Sequence, residues 1–406
     1  MPALWLKIVG ALALGFVYQF YYNGGDTYNY HTFGSRVIWE AFTEDFGAGL
    51  KLLFTEPGEY PELYRYVQRI PFYTDPKSFF IIRIAVFFDL ITFSTYSATA
   101  IFFALFGFVG GWAFFITFYG QFPHLHKWIA VSILFIPSVI FWGSGVLKDT
   151  ITLSALGLLT YAIHKLLIRK DLTLINVILL LLSGWLIIKV KMYIILCFLP
   201  AAFFWVYAKQ LFTTGSFVTR VLLAPLLIPF VLVGAYFGVS KISEKDEKYS
   251  LDQIAKTAQI TAYDIRYWTG RDAGSGYSLG ELDGTFSGML SLAPQAVNVS
   301  LYRPYLWEVK NPLMLLSALE SFCFLTLTIF LLVRYPLAFF KAFNDPNILF
   351  CFVFSLVFAF GVGVSTFNFG TLARYKIPLL PFYSLGLVLM FNKLKLRPAP
   401  VIEGKD

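Results

Sequence analysis

Residues 135–150 read FIPSVIFWGSGVLKDT. One apolar run ends here, another begins, and the joint between them carries Lys148 beside Asp149. A lysine–aspartate pair is costly inside hydrocarbon unless it is partnered or faces water. The joint therefore belongs near the edge of a bilayer, with a crossing segment on each side. Working outward, the pattern recurs: apolar stretches separated by polar turns that hold Asp26, Lys189 with Lys191, Arg303 with Glu308, and Arg374 with Lys376. The composition agrees, at 58% hydrophobic and 14% charged residues with a mean hydropathy of +0.68. A soluble domain of 406 residues needs more charged surface than this. The 45 Phe and 24 Tyr suit lipid contact and interfacial aromatic belts.

A helix needs about 20 mostly apolar residues to cross the hydrocarbon. On that rule crossings fall near Ala3–Tyr22, Ser97–Phe118, Trp128–Trp142, Thr150–Leu167, Leu174–Ile188, Met192–Tyr207, Val218–Val239, Pro312–Val333, Ile348–Val364 and Ile377–Phe391. The expected fold is all-α, a polytopic membrane protein with about ten transmembrane helices. Pro137, Pro200, Pro225 and Pro229 predict kinked or broken ones. Lysine and arginine gather in alternate loops, at Lys7, Lys127, Lys165, Arg169, Lys170, Lys209, Arg220, Arg334, Lys341, Lys393, Lys395 and Arg397. That bias predicts cytoplasmic N- and C-termini in a multi-pass protein of the cytoplasmic membrane.

The organisation that follows is a first transmembrane helix (1–22), an outer loop with interfacial helices (23–96), a transmembrane bundle (97–239), an outer lid (240–311), C-terminal transmembrane helices (312–392) and a cytoplasmic tail (393–406). Phe79–Thr92 contains Arg83 and Asp89 and reads as an amphipathic helix on the outer surface. No cleavable leader is expected, since one lysine precedes the first apolar run and no small-residue cleavage site follows it. The three cysteines lie in apolar runs and imply no disulfide framework. The net charge of +8 is spread over short loops, so no nucleic-acid partner is expected. No Walker loop, GxGxxG, HExxH or Cys/His cluster is present.

Each polar group has a plain reading beside a functional one. Asp26, in NGGDTYNYHTFG, reads as the N-cap of a helix Thr27–Trp39, or as a carboxylate that takes a proton from an acceptor hydroxyl or holds a divalent cation. His31 is a structural hydrogen-bonder or a second catalytic group. Lys148 snorkels while Asp149 caps a helix, or Lys148 meets an anionic headgroup that Asp149 orients. Lys189 and Lys191, one residue apart beside Tyr193, suit a phosphate or diphosphate. Arg303 and Arg374 sit among interfacial aromatics, yet a planar guanidinium is the usual choice for bidentate phosphate recognition. Glu320 lies inside an apolar span, where an ionisable group is a functional candidate or the partner of another helix.

Three strings carry a family resemblance. GGDTYNYHTFG (24–34) resembles the D-x-x-x-Y/H pattern after the first span of the polytopic GT-C glycosyltransferases. PSVIFWGSGVLKDT (137–150) and NFGTLARYKIPLLPF (368–382) look like turns in bacterial sugar transferases and polysaccharide polymerases of this type. The resemblance implies a polyprenyl-phosphate-linked sugar donor used outside the membrane for envelope glycan, with Asp26 at the catalytic carboxylate position. Gly25 and Thr27 flank Asp26 where many such enzymes carry a second acidic residue. From other classes come a transporter or flippase of a lipid-linked or anionic substrate and a non-catalytic subunit of an envelope complex. Membrane lipids are the other expected partners, and the oligomeric state is left open.

Orientation is checked by substituted cysteines and an impermeant thiol reagent on intact cells. Tyr28→Cys and Ser275→Cys should label, and Lys170→Cys and Lys393→Cys should not. Labelling at position 170 would overturn the assignment.

Overall fold

Prolines preceded by a short polar residue punctuate this chain. Asp75–Pro76, Asn311–Pro312 and Asp345–Pro346 each open a helix, with the Asx side chain accepting backbone N–H bonds and the proline in the first turn. The computed structural model describes residues 1–214, 253–269 and 275–395. Among them the helices are α1 (Pro2–Phe20), α2 (Asp26–Tyr30), α3 (Arg36–Glu44), α4 (Phe46–Phe54), α5 (Tyr64–Val67), α6 (Pro76–Thr92), α7 (Tyr96–Tyr119), α8 (His126–Leu134), α9 (Pro137–Trp142), α10 (Lys148–Ile163) and α11 (Leu174–Thr214). They continue as α12 (Ile254–Thr269), α13 (Phe286–Ser291), α14 (Ala293–Tyr302), α15 (Pro312–Arg334), α16 (Pro336–Ala342), α17 (Pro346–Thr366), α18 (Phe369–Tyr375) and α19 (Leu380–Lys395). The one β pairing in the described residues is a bridge between Gly276 and Asn368.

Six of these helices are long and apolar enough to cross a membrane: Pro2–Phe20, Tyr96–Tyr119, Lys148–Ile168, Leu174–Gln210, Pro312–Arg334 and Pro346–Thr366. A seventh is added if α18 and α19, bent by 68°, form one broken span. The chain is an all-α membrane protein. The larger count expected from hydropathy is not reached, for three reasons. Trp128–Trp142 is not one helix: Ile136 is extended before Pro137, and α8 and α9 are short pieces on either side. Leu174–Ile188 and Met192–Tyr207 run on as one helical stretch, broken only at Lys191, whose φ and ψ are −142° and 74°. Val218–Val239 lies outside the described residues. A hydropathy window weighs side chains and does not register where the backbone turns.

The chain forms two units, Met1–His124 with Leu134–Ile195, and Leu125–Ile133 with Leu196–Asp406. In the first, α7 packs against α1, α6 and α10. The α7–α10 contact is backbone on backbone. A side chain at Gly157 would run into the carbonyl of Gly110, and one at Gly110 into Ser154, the small-residue packing expected between membrane helices. Short α9 lies on α1, and Lys7 of α1 donates to the carbonyls of Val139 (3.0 Å) and Gly143 (2.7 Å). It thereby satisfies acceptors that the end of α9 leaves over. Lys7 is buried, so it is a clamp within the unit rather than the loop charge expected from its place near the N-terminus. Helix α6 is likewise no free surface helix. Its Phe79, Ile82, Val86 and Asp89 are buried where it meets α2, α3 and α7.

In the second unit α17 packs against α12, α14 and α19. Trp205 of α11 stacks on Phe350 at 4.4 Å and donates to Asn347 at 2.9 Å. Gly363 of α17 sits against Ala296, and Ser300 donates to the carbonyl of Ala359 at 2.7 Å. The described end of the expected lid is thus packed along α17, while its charged start (241–250) lies outside the described residues. Cys197 is half-buried, Cys323 exposed and Cys351 buried, and all three are free thiols.

The glycine contact sets the first stability test. Gly157→Leu should force α7 and α10 apart and lower the thermal midpoint of the detergent-solubilised protein, an overpacking cost of about 1–3 kcal/mol or more. Gly184→Ala, with nothing within 4 Å of its added carbon, should leave the midpoint unchanged or slightly raised.

Candidate functional site

The turn that leaves α1 passes through Gly24 and Gly25, both at a φ of 121°. Side chains other than glycine rarely adopt that conformation, and a side chain at Gly25 would also press on the Tyr18 ring. The double glycine lets the chain reverse and start α2 at Asp26 at once. The helix cap is Gly25, so Asp26 is a first-turn residue and not the N-cap expected from the sequence. Nor does α2 run uniformly to Trp39, since His31–Ser35 form a π turn before α3. The Asp26 side chain is half-buried.

Two lysine–carboxylate pairs belong to the same unit. Lys148 donates to Asp75 at 3.1 Å, and it also feels the charges of Lys191 and Asp26. Lys191, at the break in α11, donates to Asp149 at 2.5 Å, with side chains 9% and 1% exposed. The cap of α10 is Leu147, so Asp149 is not the helix cap: its charge answers Lys191. Lys189 is exposed and parts company with Lys191. Burial raises the Asp75 pKa, but the Ser78 hydroxyl, the Lys148 charge and the Lys77 N–H outweigh it and hold the carboxyl below its usual value. Three carboxylates (Asp26, Asp75, Asp149) and two ammonium groups (Lys148, Lys191) thus share this part of the unit, and their charges sum to one negative.

That balance changes what the cluster can do. A pure phosphate clamp would present lysines in excess, whereas here each lysine already has a carboxylate. An anionic headgroup would have to exchange with Asp75 or Asp149. Asp26 lies at the start of α2, within electrostatic reach of Lys148. Among the described residues no three His, Cys, Asp or Glu side chains gather closely enough to hold a metal ion, so a divalent cation at Asp26 would draw further ligands from substrate or water.

His31 is fully buried, with Nε2 3.4 Å from Asp89 Oδ1, and that same oxygen accepts from Thr99 at 2.5 Å. Its ring stands edge-on to Tyr96 at 5.3 Å. It is enclosed by protein, and the direct catalytic part expected of it has no open face to act through.

In the second unit Arg303 is held by Glu308 through Nε at 3.1 and 3.0 Å and through Nη2. Its guanidinium lies over the rings of Phe369, Tyr277 and Tyr305 at 5.2, 5.9 and 5.9 Å. The hydrogen bonds to Glu308 raise the Arg303 pKa. Burial raises that of Glu308, but Arg303 and the Tyr305 N–H overcome it and hold it low. The bidentate geometry expected for a phosphate is thus spent on a carboxylate. Arg374 is half-buried on α18. Lys376 is buried, donates to Ser321 at 2.9 Å and to the Arg303 carbonyl at 3.4 Å, and lies within electrostatic reach of Glu320.

Asp75, Asp89, Tyr96 and Thr99 have no site role in the sequence reading. The Asp75–Pro76 helix start and the Phe79, Ile82, Val86, Asp89 spacing on one face of α6 are the signals that could have marked two of them. Comparison of the chain with known family models, curated proteins and solved structures finds no match.

Removing one member of a buried ion pair strands the other. Lys191→Met should destabilise by about 3–5 kcal/mol, read as thermal unfolding in detergent. Adding Asp149→Leu to Lys191→Met should recover most of that loss. A harmless single variant would show that the pair does not hold the break in α11.

Proposed function

We propose that this protein is a membrane glycosyltransferase that moves a sugar from a polyprenyl-phosphate carrier to an acceptor hydroxyl, with Asp26 as the general base. The carrying observation is the mixed charge around Asp26: a half-buried carboxylate at the start of α2, within electrostatic reach of Lys148, beside two lysine–carboxylate pairs. Asp26 takes the acceptor proton as the acceptor oxygen bonds to the anomeric carbon. The bond from that carbon to the carrier phosphate breaks, and the phosphate leaves with the electron pair. Lys148 and Lys191 stabilise that developing charge by loosening from Asp75 and Asp149, which is where electrostatic catalysis acts. Exposed Lys189 meets the carrier's headgroup first. The family resemblance places this chemistry at the outer face of the cytoplasmic membrane, in envelope glycan synthesis.

A second reading has one observation in its favour. Glu320 and Lys376 are both buried in the second unit, Glu320 within a candidate span. Intramembrane ionisable residues mark substrate or ion pathways in transporters.

Asp26→Asn separates the two. It keeps the side-chain size and removes the charge, so the protein should express and fold normally. Transfer from a polyprenyl-phosphate-linked sugar should then fall by about two to four orders of magnitude. Undiminished transfer product would reject the base. Substrate movement that is lost in Glu320→Gln but kept in Asp26→Asn would favour transport.

A further inference from the structure

The segment that carries Asp26 is held by α1, where the Gly24 N–H donates to the Tyr18 carbonyl at 2.8 Å and the Tyr28 hydroxyl donates to Gly15 and Gln19 at 3.2 and 3.1 Å. It is also held from the side of α6 and α7. Thr27 Oγ1 meets Tyr96 OH at 2.9 Å, the Tyr28 ring stacks on the Tyr96 ring at 4.7 Å, and His31 follows with Asp89. Further along, Arg36 donates to the Ser94 carbonyl at 3.0 Å. Thr27 and Tyr28 both meet the Tyr96 side chain at the start of α7. His31 is different: it reaches α6, and neither it nor its carboxylate partner has any solvent exposure.

Asp89 is costly where it stands. A buried carboxylate must be hydrogen-bonded and paired, and its first oxygen is engaged by Thr99, which is itself bonded to Thr92 at 2.9 Å. The His31 ring is the nearest basic group to it, with Nε2 at 3.4 Å. Its second oxygen and His31 Nε2 lie buried without a well-directed hydrogen bond, so the pair lies close but imperfectly aligned. The π turn His31–Ser35 begins at the histidine itself. Such wide turns are rare and collect at functional sites, and this one directly follows the short helix that Asp26 opens. We propose that Asp89, through His31, is the positioning residue that fixes the turn bearing Asp26 in register with the charge cluster.

The proposal takes its catalytic meaning from the reading of Asp26 as the working base, but its test uses no sugar transfer. In a background with Cys197, Cys323 and Cys351 replaced by alanine, Asp26→Cys places one thiol at the site. Its rate of reaction with a small charged methanethiosulfonate, followed against pH, reports the thiolate at position 26. With Lys148 present the reaction should turn on at lower pH than in Lys148→Met, because a nearby ammonium favours the thiolate. Asp89→Asn should erase that difference between the parent and Lys148→Met backgrounds, while Thr99→Val, which leaves the His31–Asp89 contact in place, should keep it. His31→Gln should behave as Asp89→Asn does. The proposal is overturned if Asp89→Asn lowers the thermal midpoint yet leaves the Lys148 dependence intact, since Asp89 would then serve stability alone. If Asp89→Asn proves too unstable to purify, His31→Gln decides the matter by the same measurement. No dependence on Lys148 in the parent protein would remove the cluster, and the proposal with it.

Discussion

A charge taken into an apolar interior must bring its counter-charge with it, and the packing of the first unit follows from that rule. Lys191 and Asp149 obey it across 42 residues of sequence at 2.5 Å. Breaking such a pair from one side leaves an uncompensated charge, far costlier than losing a surface bridge. The pair sits where α11 is broken and where α10 begins, so the backbone irregularity and the buried charge occupy one place. Lys7 is accommodated differently, by donating to the leftover carbonyls of α9. Non-helical backbone is tolerated at such depth only where its polar groups are met by protein or water.

The same rule arranges the candidate site. Helices α2, α6 and α10 bring Asp26, Asp75 and Asp149 to their first turns or caps, where the helix dipole favours negative charge. Lys148 and Lys191 come in against them, and the whole is a mixed-charge cluster rather than a basic patch. This distinction carries chemistry. A basic patch only binds an anion, whereas the transfer we propose would use a carboxylate beside cations that turn to the leaving group. In the second unit the aromatic residues around Arg303 and the Tyr302–Tyr383–Thr328 hydroxyl chain, with contacts of 2.7 Å, show the same habit of satisfying polar groups internally.

Much of the architecture was legible along the chain. Helical membrane character follows from apolar runs whose length matches a bilayer, and Asx–Pro pairs announce helix starts through local chemistry alone. The Asp26, Lys148–Asp149 and Lys189–Lys191 turns stood out too, because charges beside apolar runs are costly wherever the chain goes next. The errors share a cause. Trp128–Trp142 reads as a span because hydropathy sums side chains, while Pro137 acts on backbone geometry. Lys7 reads as a loop charge because its sequence neighbours are terminal, while its partners come from residues 139 and 143.

Residue type and spacing along a helix were enough to establish the solvent this protein lives in and the places where charge is concentrated. Which charge answers which was settled by the folded arrangement alone. Lys191 meets Asp149 while its neighbour Lys189 stays exposed, Lys148 turns to Asp75 rather than to adjacent Asp149, and His31 turns inward to Asp89. Those pairings are made by distance in space, between residues tens of positions apart, and Coulomb energy in a low-dielectric interior changes steeply with that distance.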